Sequence, residues 1–430
     1  MSTVHRHVLP NGLTVLLKPL SNAPLISWRV LYRVGSRNEP TGQTGISHWV
    51  EHMLFKGTPR WPAGTIDRAI SREGGVWNAH TFIDFTSYYE TLPAERIDLA
   101  LEIEADRMVN ALFDPEEVER ERTVIISERQ GNENSPLFWL NEEVTAAAFR
   151  VHPYHHEVIG DMADLHTITR DDLYAHYRRY YTPNNAIAVA VGDFDPEAML
   201  ARIEAAFSPI SSGPLPPPVT RTEPEQWGER RVEVHRPGQT AFIQVAYKAP
   251  PATDPDWFRL AVLTSALAGP SLMGGTSLGN RTSRLYRALV LTELAAGAGA
   301  SLIPTIDPYL LTFTLTVRDG QTPDTVQAAL DAALERVRDG GITQEELDKA
   351  TKQARALFAY NTESVGGQAF WLAFAENFDS AEWFEHYVEH LSAVTLADVQ
   401  AAAHRYLDPR RRTVGWYIPE NGPQEGERTS

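Results

Sequence analysis

The sequence predicts an α+β protein of two homologous halves, and three observations predict it. Strand-like and helix-like stretches come in separate blocks, which favours α+β over a doubly wound sheet. One segment, SPISSGPLPPPVTRTEPEQWGER from Ser208 to Arg230, is too rich in Pro, Ser and Gly for regular structure and divides the chain. A pattern that precedes this linker returns after it at a constant offset.

The strand blocks are GLTVLLKPL and LISWRVLYRV in the first half, FIQVAYKA and LLTFTLTV in the second. Long helical patterns lie between them. The repeat pairs TRDDLYAHYRRYYTPNNAIAVAVGD, from Thr169, with TLADVQAAAHRYLDPRRRTVGWYIPE, from Thr395. At an offset of 226, Thr169 maps to Thr395, Asp172 to Asp398, Tyr180 to Tyr406 and Pro183 to Pro409. Each copy reads as a capped helix, a proline turn and an apolar strand. The expected domains are therefore 1–210, a linker over 211–231, and 232–430. Arg410–Arg412 reads as a solvated turn.

The 430 residues are enough for two or three domains, and 43% apolar with 22% charged content is that of a folded protein. A net charge of −17 disfavours nucleic acid and anionic membranes as partners. No stretch approaches the ~20 apolar residues of a membrane span. The N-terminal MSTVHRHVLPNGLTVLL shows no signal-peptide pattern, so a cytoplasmic location is expected. With no cysteine, a metal site must use His, Asp or Glu.

One stretch has the residues for such a site: GISHWVEHMLFKGT, Gly45 to Thr58. On a helix, Ile46, Trp49, Val50, Met53 and Leu54 form an apolar stripe. His48, Glu51 and His52 lie opposite. His48 and His52 are one turn apart, so both rings can reach one ion. An ordinary solvated helix face gives the same periodicity. Against it stand the two histidines, the lack of any Lys or Arg before Lys56, and Phe55 on the polar side. A catalytic zinc takes three protein ligands. Downstream, FDPEEVERERTVIISERQ opens as a helix at Asp114–Pro115 and carries Glu121 and Glu128, two turns apart. Val124, Ile125 and Ile126 point to burial near Glu128, and a buried carboxylate requires a partner. That partner is a metal, or else Arg122 or Arg129; spacing leaves both open.

His48-x-x-Glu51-His52, with Glu128 76 residues after His52, resembles the inverted zinc motif of the pitrilysin-type metallopeptidases, the inverzincins. GGVWNAHTFIDFTSYYETL, ERERTVIISE and HPYHHEVIGDMADL are similar to family segments in the same order. The resemblance is strong in the first half and weaker in the second. It matches the short-subunit branch, which includes mitochondrial processing peptidase subunits and bacterial processing-type proteases. It implies two α/β-sandwich halves, each an antiparallel-rich sheet packed with helices, together forming half of a clam-shell. It implies one Zn2+ on His48, His52 and Glu128, Glu51 as general base, and Glu121 as a carboxylate orienting a ligand histidine. It also implies Asn78 and Ala79 on an edge strand that binds peptide substrate.

The second half departs from the family. Active single-chain members carry an Arg and a Tyr there that contact the substrate carbonyl. Aligned on Ser283-Arg284-Leu285, those positions are Val290 and Gly297, and Arg287 is three residues out of place. The expectation is a catalytic subunit whose homologous partner supplies the pair, a heterodimer, with a homodimer as the variant that lacks it twice. The alternative is a non-catalytic structural subunit of the same family. The glycine-rich Ala266–Leu285 is longer than the family's segment and reads as a substrate-guiding loop or a surface insertion. His152, His155 and His156 are adjacent residues that diverge, so no second metal is expected there. His5 and His7 are expected at the surface.

Overall fold

The structure, a computed structural model, describes residues 3–271 and 281–420. Among the described residues, eleven strands form two sheets. In the first half these are β1 (His5–Val8), β2 (Thr14–Pro19), β3 (Leu25–Tyr32), β4 (Val76–Thr81), β5 (Thr86–Pro93) and β6 (Ala186–Gly192). In the second they are β7 (Arg230–Pro237), β8 (Phe242–Ala249), β9 (Ala295–Leu302), β10 (Tyr309–Val317) and β11 (Arg412–Glu420). The orders are β1-β2-β6-β3-β5-β4 and β7-β11-β8-β10-β9. Every pairing is antiparallel except β2 with β6 and β7 with β11. Strands and helices are segregated as α+β requires.

The duplication is visible element by element. Helices Arg170–Tyr180 and Leu396–Tyr406 both start with a Thr–Asp capping box, Thr169 with Asp172 and Thr395 with Asp398. Each is followed by a short 3-10 turn at its proline and then by β6 or β11. Matching the parallel pairs aligns β2 with β7 and β6 with β11; β4 and β9 then occupy equivalent edges.

The chain divides into two compact units that differ from the contiguous halves. One comprises residues 1–130, 156–221 and 361–385; the other comprises 131–155, 222–360 and 386–430. The units have exchanged a helix. Val365–Phe378, from the second half, packs on β3 and β6 of the first sheet. There Arg6 pairs with Glu376 at 2.9 Å, and Arg33 donates to the carbonyls of Glu376 and Asn377. Reciprocally, Pro136–Ala148 packs on β7, β8 and β11. Arg230 caps its end through the carbonyls of Ala147 and Ala148. At Gly415 in β11 a Cβ would stand 2.2 Å from Val144 Cγ2, so only glycine admits this helix so closely. With helices on both faces, β6 is buried throughout its length and is apolar in continuous run rather than alternation.

Arg410–Arg412 is not wholly a solvated turn. Pro409–Arg411 is an exposed 3-10 turn, but Arg412 is 4% exposed, held by Glu229 at 2.7 Å and by both oxygens of Asp331. His5 and His7 lie within β1 itself. Residues 272–280 of the glycine-rich segment fall outside the described residues.

Candidate metal centre

The motif helix spans Ile46–Met53 and buries Ile46, Trp49, Val50 and Met53. Its start is built by neighbours. Gly45 has φ +85°, and a Cβ there would lie 2.5 Å from the Ile159 carbonyl oxygen, so glycine is required twice over. Gly45 offers no capping side chain. Instead the buried Glu39 carboxylate accepts from the amides of Gly45 (2.8 Å) and Ser47 (2.9 Å). His156 Nε2 holds the same carboxylate at 2.9 Å, and this partner raises its pKa despite the opposing effect of burial.

His48, His52 and Glu128 converge: their ligand atoms lie within 4.8 Å of one another. Glu128 Oε2 is 3.9 Å from His48 Nε2 and 3.7 Å from His52 Nε2. Ligands around a tetrahedral zinc stand roughly 3.3–3.5 Å apart. Glu128 is thus within a few tenths of an ångström of that spacing from each histidine. The donor chemistry, two imidazoles and one carboxylate without thiolate, also fits zinc. Burial, reinforced by the charge of His52, drives the His48 pKa down to about 3, which keeps a neutral imidazole available as a ligand.

Glu128 belongs to the helix Pro115–Asn132. Burial around it is not as the apolar triplet implied: Val124 is 49% exposed and the Glu128 side chain 44%. One turn apart, both line the open side of the helix, while Glu121 and Ile125 face the core. Arg122 is occupied elsewhere, pairing with Glu119 and donating to the carbonyls of Leu165 and Ile168. Arg129 donates to the Gly160 carbonyl.

Glu121 meets the imidazole that the resemblance assigned to it only in general terms. Its Oε1 is 2.7 Å from His52 Nδ1. An ionised carboxylate only accepts, so Nδ1 carries a proton and donates it to Glu121, which leaves Nε2 turned towards Glu128. The other oxygen of Glu121 is paired with Lys56.

Glu51 is 7% exposed. Burial raises its pKa, against the lowering effect of a hydrogen bond from Thr81, whose Oγ1 donates to Glu51 Oε2 at 2.6 Å. Thr81 ends β4, the outermost strand of its sheet, so Asn78 and Ala79 lie on a sheet edge. Asn78 Oδ1 accepts from the Ala79 amide at 2.9 Å. Phe55 packs against Trp77 of β4 with ring centroids 4.8 Å apart. Thr81, Lys56 and Glu39 were not singled out from the sequence as parts of the site. Thr81 alone had a signal: two residues past Ala79, it shares Ala79's side of the strand.

The HPYHH histidines split between the units. His152 pairs with Asp307 at 3.0 Å, while His156 holds Glu39. Among the described residues, no metal-type cluster forms there. Val290 closes a π-helical turn, Tyr286–Val290, and Gly297 lies in β9. Arg287 is 3.4 Å from Glu346, which Arg284 also grips. No helix among the described residues is long and apolar enough to cross a membrane.

An inverted two-histidine, two-carboxylate site on one of two duplicated α+β halves defines a class, and the comparisons identify it: the chain belongs to peptidase family M16. Residues 14–162 match the family model described as insulinase (peptidase family M16), and 167–354 match the peptidase M16 inactive domain. The chain is similar to the zinc protease PqqE of Helicobacter pylori, 30% identical over 418 residues, covering 96% of this chain and 92% of that one. The crystal structure of a protease from Helicobacter pylori superposes with a TM-score of 0.91 at 30% identity, over 97% of this chain and 100% of that one. A probable mitochondrial-processing peptidase subunit beta of Arabidopsis thaliana is 29% identical over 291 residues, 67% of this chain and 54% of that one.

Proposed function

We propose that the chain is a zinc-dependent endopeptidase for unstructured peptides or targeting segments, with His48, His52 and Glu128 as metal ligands and Glu51 as general base. The observation that carries this is the convergence of those three ligand atoms beside a buried carboxylate, itself held by Thr81 of the strand at a sheet edge. Bound zinc supplies Lewis acidity, bringing the pKa of water towards ~7 and polarising a carbonyl. The protein's own groups do the rest. Glu51 takes the proton from the attacking water and delivers it to the leaving amine, a task its burial favours by raising its proton affinity. Glu121 fixes the tautomer and orientation of His52. The edge of β4 at Asn78 and Ala79 takes the peptide as an added strand, held by main-chain hydrogen bonds.

The carbonyl-gripping Arg and Tyr then come from a second, homologous chain, which makes the active form a heterodimer. The reading includes a cytoplasmic location, tested by cell fractionation. Losing such stabilisation costs about 10²–10³ in rate, so the chain alone is weakly active. The test is metal content together with hydrolysis of an unstructured fluorogenic peptide by a homogeneous preparation. Near-stoichiometric zinc with slow hydrolysis, abolished in Glu51→Gln, supports the reading. Full activity of the single chain refutes the heterodimer. A preparation without zinc supports the second reading, a structural subunit, which Val290 and Gly297 favour.

A further inference from the structure

We propose that Thr81 is a positioning residue that divides the labour of the two Glu51 oxygens: Oε2 is held, and Oε1 is left to move the proton. This rests on Glu51 being the general base.

The Thr81 hydroxyl lies 2.6 Å from Oε2, and an ionised carboxylate can only accept, so the proton is on the threonine. The side-chain hydrogen bond that Thr81 makes goes to Oε2, not to Oε1. A carboxylate on a two-carbon stem turns easily. A fixed bond to one oxygen stops that rotation and keeps the other aimed at one place. Thr81 is itself fixed. It pairs across the ladder with Thr86, the two hydroxyl oxygens 3.4 Å apart, and Thr86 donates to the Val34 carbonyl at 2.9 Å.

The position of Thr81 in the chain adds a consequence. Asn78 and Ala79 precede it by three and two residues on the same short strand. The strand proposed to receive the peptide therefore also holds the base, so seating the substrate and aiming the carboxylate depend on one backbone. A base carried on the helix alone would lack this link.

The experiment measures kcat, KM and zinc content for Thr81→Val, Thr81→Ala and Thr81→Ser, beside Glu51→Gln. Losing a hydrogen bond to a charged group predicts a fall in kcat of roughly ten- to a hundredfold in Thr81→Val and Thr81→Ala, with KM and zinc content unchanged. Thr81→Ser, which keeps the hydroxyl, returns kcat to within about threefold of the parent. A merely structural role would not be rescued by serine, the poorer strand former. Should the valine variant fail to fold, the alanine variant carries the comparison. Unchanged kcat in a folded, zinc-loaded Thr81→Val or Thr81→Ala, with Glu51→Gln inactive, overturns the role of Thr81 and spares that of Glu51. An active Glu51→Gln overturns the base assignment itself.

Discussion

Glu121 and Lys56 should change zinc affinity in opposite directions. The Glu121 carboxylate is 5% exposed and serves two partners, His52 Nδ1 at 2.7 Å and the Lys56 ammonium. Its negative charge makes His52 a better donor, while Lys56 withdraws part of that charge. Glu121→Gln keeps the shape but removes the charge, and losing such a supporting group weakens metal binding about 10- to 100-fold. Lys56→Met removes the competing cation and a positive charge close to the ion. At a partly exposed site, 27% for Lys56, this amounts to about 1 kcal/mol, or roughly fivefold tighter binding. The assay is competition for zinc against a fluorescent chelator of known affinity, at fixed pH and salt. If Lys56→Met weakens zinc binding as Glu121→Gln does, the pair acts as scaffolding and the electrostatic reasoning fails.

Glu51→Gln should abolish hydrolysis while leaving zinc bound, read from activity and metal content on the same sample; parallel loss of zinc would contradict it. Arg107, Glu90 and Glu104 are fully buried together. Burial, with the neighbouring Glu104, pushes the Glu90 pKa well up, which favours its neutral form. Arg107→Met should therefore cost about 3–5 kcal/mol, and Glu90→Gln less than about 1, in urea unfolding at pH 7; equal costs would be wrong for a protonated Glu90. Lys248 has its pKa lowered by burial to about 7, from 10.5 when exposed. The unfolded chain then binds the extra proton between these values, so the parent should gain stability relative to Lys248→Met as pH rises from 7 to 10.5. Melting temperatures across that window test this, and a flat difference would refute the assignment.

The legible parts were those encoded locally. FIQVAYKA is β8, and the Thr–Asp capping boxes stand at both copies of the repeat, because period-2 patterning and helix caps are properties of neighbours in sequence. The polar face of the motif helix was legible as a face, but its partners were not. Glu39 and Thr81 reach it from a loop and a strand, and periodicity holds no record of what lies across a gap. Val124 departs from expectation for a related reason: an apolar residue one turn from Glu128 can sit on an exposed helix face as readily as in a core. The helix exchange was invisible because the pattern of Val365–Phe378 marks which residues are apolar and not which sheet they cover.

That exchange also bears on the history of the chain. A cut in the linker would leave two fragments, each lacking a helix that covers its own sheet, so neither would be a self-sufficient protein. They would be obligate complements. A duplicated ancestor that paired with itself by swapping one helix would, once fused end to end, leave this pattern.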